Sequence, residues 1–325
     1  MDKGYAAGLL REAYDKLKAS DASAALALLE QALSVDYLND EIKYALKCVH
    51  WWIDQTSRID EIKNPYEKGA FLMSQLKQYY IFLAAINNGP ENTSNIFFSE
   101  QPKYDQCQYA IRYYVYSKAL FFFNTLLKNP SNHNDPGLLL FTGRCYKGLG
   151  DYDAGRNYLE QAVSISKEDP QILAELADVN AMLTQTKDAK ALFREAFFID
   201  PSRIDLKFLE SALIVKVCQK VSELGYKDDE LCEWIPVYGF LWKVFTVKRE
   251  LKQMEVARLK QSIFSMEAEY DSNPARRILI KPRLLNHYFR LIDYYEIIHE
   301  ESSLIEETLL KIKVKDPEIF EMYTS

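Results

Sequence analysis

Residues that could perform chemistry are few in this chain of 325 residues. The best arrangement is Glu296-Ile-Ile-His299, with Asp293 and Glu300 beside it. A carboxylate and an imidazole one helical turn apart can ligate a metal, but di-metal bundles use two such motifs and further glutamates. The sequence contains one copy. We therefore interpret this stretch as a solvated acidic helix face, and predict no metal site and no cofactor.

The signatures of common enzyme classes are missing from the sequence. The chain lacks the G-x-x-x-x-G-K-[ST] loop that cradles nucleotide phosphates, the H-E-x-x-H zinc motif and the G-x-S-x-G nucleophile turn. Its four histidines share no ligand spacing, and its five cysteines include no C-x-x-C pair. We therefore predict no catalytic residues, a protein that is not an enzyme, and cysteines that are reduced and mostly buried.

Positive charge is concentrated in one segment, although the whole chain carries a net charge of −7. Residues 243–283 contain 10 basic and 5 acidic side chains, a local balance of +5. The candidate basic patch is Lys248, Arg249, Lys252, Arg258, Lys260, Arg276 and Arg277. Such a band could contact nucleic acid or an anionic membrane surface. It could also be the solvated flank of an apolar seam, paired with acidic residues of the same protein, which is the interpretation we favour.

The elements that position these residues follow a repeat. Shifted by 34 residues, the stretch from Leu139 to Pro201 aligns with itself in its pattern of large and small apolar residues. The aligned pairs are Leu139 with Leu173, Gly143 with Ala177, Leu159 with Phe193, Ala162 with Ala196, and Ile165 with Ile199. A fixed period of this size is typical of helical repeat arrays, in which each unit buries its apolar face against the next.

A third copy lies near the start of the chain. Residues Ala27–Val35 and Asn157–Ile165 share the identical tetrapeptide Leu-Glu-Gln-Ala. Together these segments resemble the tetratricopeptide repeat, most clearly in residues 6–39, 136–169 and 170–203. Asn180 and Gly155 depart from the family pattern, as does Thr184-Gln185-Thr186 at the second turn. The resemblance implies pairs of antiparallel helices and a non-enzymatic scaffold that binds a peptide or helix of a partner protein on its groove.

The same resemblance implies which side chains face that groove. They are Leu140, Arg144 and Lys147 and, one period later, Ala174, Asp178 and Ala181. Arg144 and Lys147 could bind a partner carboxylate, since both donate charge-assisted hydrogen bonds. Family members that bind chaperone tails use a fixed set of Lys, Asn and Arg, which Asp178 and Ala181 do not match. Alternatively, Arg144 pairs with Asp178 on a neighbouring helix.

The whole sequence predicts an all-α protein, a tetratricopeptide-like solenoid of antiparallel helix pairs over residues 1–225 followed by a helical module over 226–325 that could include a degenerate repeat. Helices are expected over 203–224 and 284–299, and the segment 234–245 is expected to be broken at Pro236 and Gly239. The seam Val256, Leu259, Ile263, Met266 and Tyr270 packs within the chain or in a homodimer. The first residues lack the apolar core of a signal peptide, which predicts a cytoplasmic protein.

Overall fold

The computed structural model describes residues 3–88, 104–299 and 302–325, and every regular element within these ranges is helical. The all-α prediction is therefore confirmed for the described chain. The chain divides into two compact units, Met1–Ser166 and Lys167–Ser325. The sequence analysis placed a boundary at Gly225, which lies inside the second unit between two of its helices.

The first unit contains helices α1 to α7 and the second contains α8 to α15. In the first unit they are α1 Lys3–Lys18, α2 Ala22–Val35, α3 Asp40–Thr56, α4 Pro65–Asn88, α5 Asp105–Leu127, α6 Pro136–Gly148 and α7 Tyr152–Ile165. In the second they are α8 Pro170–Met182, α9 Thr186–Ile199, α10 Ala212–Glu223, α11 Asp228–Leu241, α12 Gln253–Ser272, α13 Arg277–Ile297, α14 Ser302–Lys315 and α15 Pro317–Thr324.

Aspartates start many of these helices. Asp21 caps α2, where its side chain accepts a hydrogen bond from the backbone N–H of Ala24 at 2.9 Å. Asp135 and Asp169, one period apart, each cap the helix that begins at the following proline. Proline suits this first position because the N–H that it lacks would have no partner within the helix. The Asp-Pro pair therefore sets the start of the first helix in repeats 136–169 and 170–203.

Small residues let α6 and α7 approach closely. A methyl group built on Gly143 would lie 2.7 Å from Cγ of Leu159 and 3.0 Å from the carbonyl oxygen of Gly155. A methyl group on Gly155 would lie 3.1 Å from the carbonyl oxygen of Gly143. The two backbones therefore touch at this point, and the larger Leu159 fills the space beside it without exposure to solvent.

Within the second unit, side chains connect residues that are one repeat apart. Arg203 forms an ion pair with Asp169 at 2.8 Å, and the side-chain oxygen of Gln171 accepts the backbone N–H of Asp205 at 2.5 Å. Both connections span 34 residues. The ends of repeat 170–203 are thus connected at positions that are one period apart, as expected for a repeat array.

Three predicted helix limits differ from the structure. The helix expected over 203–224 begins only at Ala212, because residues 201–208 form two short 3-10 turns instead. The break expected at Pro236 does not occur, since α11 continues through it. Helix α13 begins at Arg277, before Leu284, and continues through Pro282. A proline removes one hydrogen bond from a helix, and packing against neighbouring helices can offset that loss.

The first three residues of the predicted seam on α12 are buried inside the second unit, whereas Met266 and Tyr270 are partly exposed. Val256, Leu259 and Ile263 are buried, and α12 packs against α13. In the first unit, three aromatic residues of α5, Tyr114, Tyr116 and Phe123, are buried, whereas Tyr109 and Phe121 are exposed. None of the helices in the described chain is both long and apolar enough to span a bilayer.

Candidate partner-binding groove

The residues predicted to contact a partner are mostly buried. On α6, Arg144 is 4% exposed and Lys147 is 2% exposed, while Leu140 is partly exposed. On α8, Ala174 and Asp178 are buried and Ala181 is partly exposed. The charged members of the predicted set therefore offer almost no surface to a partner, and the expectation that they form an exposed groove needs correction.

Asp178 has a structural role that the sequence did not indicate. Its two carboxylate oxygens accept the backbone N–H groups of Glu210 and Ser211 at 2.9 and 2.8 Å. These two residues directly precede α10 at Ala212. Asp178 thus fixes the start of α10 from the neighbouring repeat, where an anionic group favours the helix terminus. A buried carboxylate with two such donors is a stabilising element of the fold.

A groove of about 560 Å³ opens beside Ala181, the one partly exposed residue that the prediction placed on α8. It lies entirely in the second unit. Its lining comes from the end of α8, the start of α9, three turns of α10 and the chain that follows α11. The apolar lining residues are Ala181, Met182, Ala212, Leu213, Val217, Trp242 and Val244. A concave, mostly apolar surface with a few polar groups is typical of ligand and peptide sites.

Two lysines line one part of this groove. Lys216 and Lys220 are exposed and lie four residues apart on α10, so they share one face of that helix. The Lys220 ammonium lies over the ring of Trp242 at 5.5 Å, a distance at which the ring face attracts a cation. Elsewhere in the lining, the carboxylate Glu210 stands just before α10.

Ser211 also belongs to the groove lining. Ser211 is 4% exposed, and among the described residues its buried Oγ atom has no hydrogen-bond partner. It does not cap α10, although it occupies the cap position. Because a buried polar atom without a partner costs free energy, the great majority of such atoms are satisfied in native structures. The groove lining therefore includes one residue whose buried hydroxyl is unsatisfied.

The candidate basic patch is largely neutralised within the second unit. Lys248 pairs with Glu296, Arg249 with Glu195 and Glu255, and Arg276 with Glu269. Arg277 donates to the backbone carbonyls of Tyr270 and Asp271, and Lys260 lies over the ring of Tyr295. Lys252 and Arg258 are exposed on α12 or at its start. Most of the patch thus has partners in its own unit, as in the interpretation that we favoured.

Behind these surface pairs lies a buried set of charges that connects α9 to α13. Arg194 forms an ion pair with Asp293, and Arg290 forms one with Glu195 at 2.6 Å. Arg194 also donates to the carbonyl of Val247 at 3.0 Å, and so holds the segment between α11 and α12. Burial, reinforced by the charge of Arg290, lowers the pKa of Arg194 to about 10, which leaves the guanidinium charged at neutral pH.

The possible metal ligands near Glu296 are used otherwise. The carboxylate of Asp293 pairs with Arg194, and that of Glu296 pairs with Lys248. Helix α13 ends at Ile297, and His299 follows in a left-handed conformation with φ of 55°. His299 is therefore not one turn further along the same helix as Glu296, and Glu300 lies outside the described residues. In the part of the chain that the structure describes, no three His, Cys, Asp or Glu side chains are grouped to hold a metal ion.

Comparison with known proteins does not extend this description. No family model matches the chain, and no curated protein matches it.

Proposed function

We propose that this protein is a non-enzymatic scaffold that binds a segment of a partner protein in the groove formed by α8, α10 and the end of α11. The observation that carries the proposal is the groove itself. It combines an apolar floor, an aromatic side chain and two exposed lysines. The groove lies in a helical unit in which two side-chain connections join residues that are 34 positions apart. Docking of an amphipathic segment into an apolar groove is a common mode of peptide recognition.

The proposal keeps the tetratricopeptide-like scaffold implied by the sequence but moves the contact surface. Ala181 remains part of it, whereas Arg144, Lys147 and Asp178 become residues that stabilise the array. The cytoplasm stays the proposed location, supported by burial of the thiols of Cys48, Cys107, Cys145 and Cys218. Burial of the α12 seam supports packing within the chain over a homodimer through that seam.

The test places a photo-crosslinking amino acid at Leu213, inside the groove. A matched probe at Leu224, which is exposed just after the same helix, serves as the control. Expressed in the native cell, the Leu213 probe should capture a protein that the Leu224 probe does not. The capture should disappear when Ala212→Trp fills the groove and persist with Ala257→Trp, an exposed site on α12. Equal capture from both probes would contradict the proposal.

A further inference from the structure

We infer that the occupant of the groove is an acidic amphipathic segment of a partner protein, with carboxylates that pair with Lys216 and Lys220 and apolar side chains that pack on the groove floor. This inference rests on the proposed function and adds the chemistry of the partner.

The first observation is the contrast between two sets of basic residues. In the predicted basic patch, Lys248, Arg249 and Arg276 have carboxylate partners in the second unit. Neither Lys216 nor Lys220 has a carboxylate within 4.0 Å in the described chain. Exposed lysines without partners are ordinary on a surface, but these two border an apolar concavity. Positive charge beside an apolar site is complementary to a partner with negative charge beside an apolar face.

The second observation is the distribution of charged side chains along the α10 side of the groove. Glu210 lies just before the helix, whereas Lys216 and Lys220 lie on its second and third turns. Cβ atoms four residues apart on a helix are separated by about 6 Å. An occupant with two carboxylates one helical turn apart matches that spacing. Its acidic end then lies over the lysines, and its other end, near Glu210, is neutral or basic.

The third observation is the Ser211 hydroxyl. The Oγ atom of Ser211 is buried and has no partner in the described chain. Ser211 itself belongs to the groove lining, next to Glu210 and the apolar floor. A backbone or side-chain polar group of an occupant would satisfy it. An unsatisfied buried hydroxyl indicates a site that is completed by a polypeptide or another polar ligand, because purely apolar cover would leave it unpaired.

A polyanion fits these features less well than a peptide. Proteins that bind nucleic acid strongly neutralise several phosphates, and affinity grows with the number of such contacts. The groove offers two lysines and also contains the carboxylate of Glu210, which repels phosphates. The aromatic and aliphatic floor is instead suited to bury side chains.

The test uses a library of random 16-residue peptides displayed on phage. The library is selected on the full chain and depleted on the Ala212→Trp variant, with Ala257→Trp as a control for the substitution itself. We expect groove-dependent peptides that are enriched in Asp and Glu at positions four apart, next to apolar residues. Binding of the best peptide should weaken about tenfold or more in Lys216→Glu/Lys220→Glu, since loss of two charge contacts is compounded by repulsion.

Two controls make the charge argument specific. Lys16→Glu/Lys63→Glu changes the net charge equally at exposed lysines of the first unit and should leave binding unchanged. Replacing the peptide carboxylates by lysines should restore binding to Lys216→Glu/Lys220→Glu. Circular dichroism of each variant checks that the helices are retained.

The outcomes separate the two proposals. Groove-dependent peptides that are neutral or basic would overturn the acidic partner but leave the scaffold function standing. Absence of any groove-dependent peptide would overturn both. Anionic vesicles or oligonucleotides that bind through Lys216 and Lys220 would show a polyanion site instead. Self-association in sedimentation experiments that is lost in Ala212→Trp would show that a second copy of the chain occupies the groove.

Discussion

Single residues show how charge is distributed inside the second unit. Arg194 and Glu195 are adjacent on α9, and each pairs with an opposite charge on α13. A charge removed from water is costly unless it is paired. These crossed pairs therefore fix one alignment of α9 against α13, since sliding either helix would leave buried charges without partners.

This arrangement predicts a strong effect of removing one member. Asp293→Asn leaves the buried Arg194 without its counter-charge, and we expect the free energy of unfolding to fall by about 3–5 kcal/mol. Replacing both residues, as Arg194→Met/Asp293→Asn, should cost less than the sum of Arg194→Met and Asp293→Asn. Urea denaturation of the single and double variants measures the coupling.

The control for this buried ion pair is the exposed pair of Lys18 and Asp15 on α1, whose charged atoms are 2.8 Å apart. Lys18→Ala should change the free energy of unfolding by less than about 1 kcal/mol. If Asp293→Asn and Arg194→Met proved simply additive, the two charges would not act as a buried pair.

At the same scale, the sequence could not reveal which charges are buried. Arg194 and Asp293 are 99 positions apart, and no local pattern relates them. Arg144 and Asp178 were expected at the surface because the resemblance to tetratricopeptide repeats places them on the groove. Asp178 is instead buried as the cap of a helix that begins more than thirty residues later.

Among the elements, the α6–α7 pair is limited by its closest contact. Gly143→Ala would place a methyl group 2.7 Å from Leu159, so the helices must separate or Leu159 must move. We expect a loss of about 1–3 kcal/mol in stability, typical of overpacking. Thermal or urea unfolding monitored by circular dichroism measures it.

Gly8 gives the control for the same chemical change. It lies inside α1 with nothing within 4 Å of an added methyl group. Gly8→Ala should therefore stabilise the protein by about 0.5–1 kcal/mol, because alanine has the higher helix propensity. Equal effects of the two substitutions would mean that the contact at Gly143 is not tight.

The elements also show where sequence reasoning succeeds. The period of 34 residues and the caps at Asp21, Asp135 and Asp169 depend on local patterns, which the sequence contains. The late start of α10 could not be found in this way. Residues 203–209 carry apolar spacing suited to a helix, but the backbone N–H groups of Glu210 and Ser211, which would bond within that helix, bond to Asp178 instead.

Across the whole molecule, net charge and pairing together determine how the protein meets polyanions. The chain carries −7, and most of its basic patch is paired. We predict no retention on heparin at about 0.15 M salt, where long-range attraction is screened. Elution from a heparin column over a salt gradient measures this.

Removing carboxylate partners from the basic patch should strengthen the retention of the protein on heparin. Glu255→Gln/Glu296→Gln removes partners of Arg249 and Lys248 and adds two units of positive charge. It should elute at higher salt than wild type and than Glu12→Gln/Glu30→Gln, which makes the same charge change at exposed sites of the first unit. If the two variants eluted together, only net charge would matter, and the local pairing would be irrelevant.

The connections that span 34 residues also constrain how this chain can change its length during evolution. Duplication of residues 170–203 as one block would leave Asp169 34 positions before the arginine of the first copy, and the glutamine of the second copy 34 positions before Asp205, so both connections would keep their spacing. An insertion of any other length between Asp169 and Arg203 would separate this pair and also move Asp205 away from Gln171. Gain or loss of whole repeats is therefore the change that this array tolerates best.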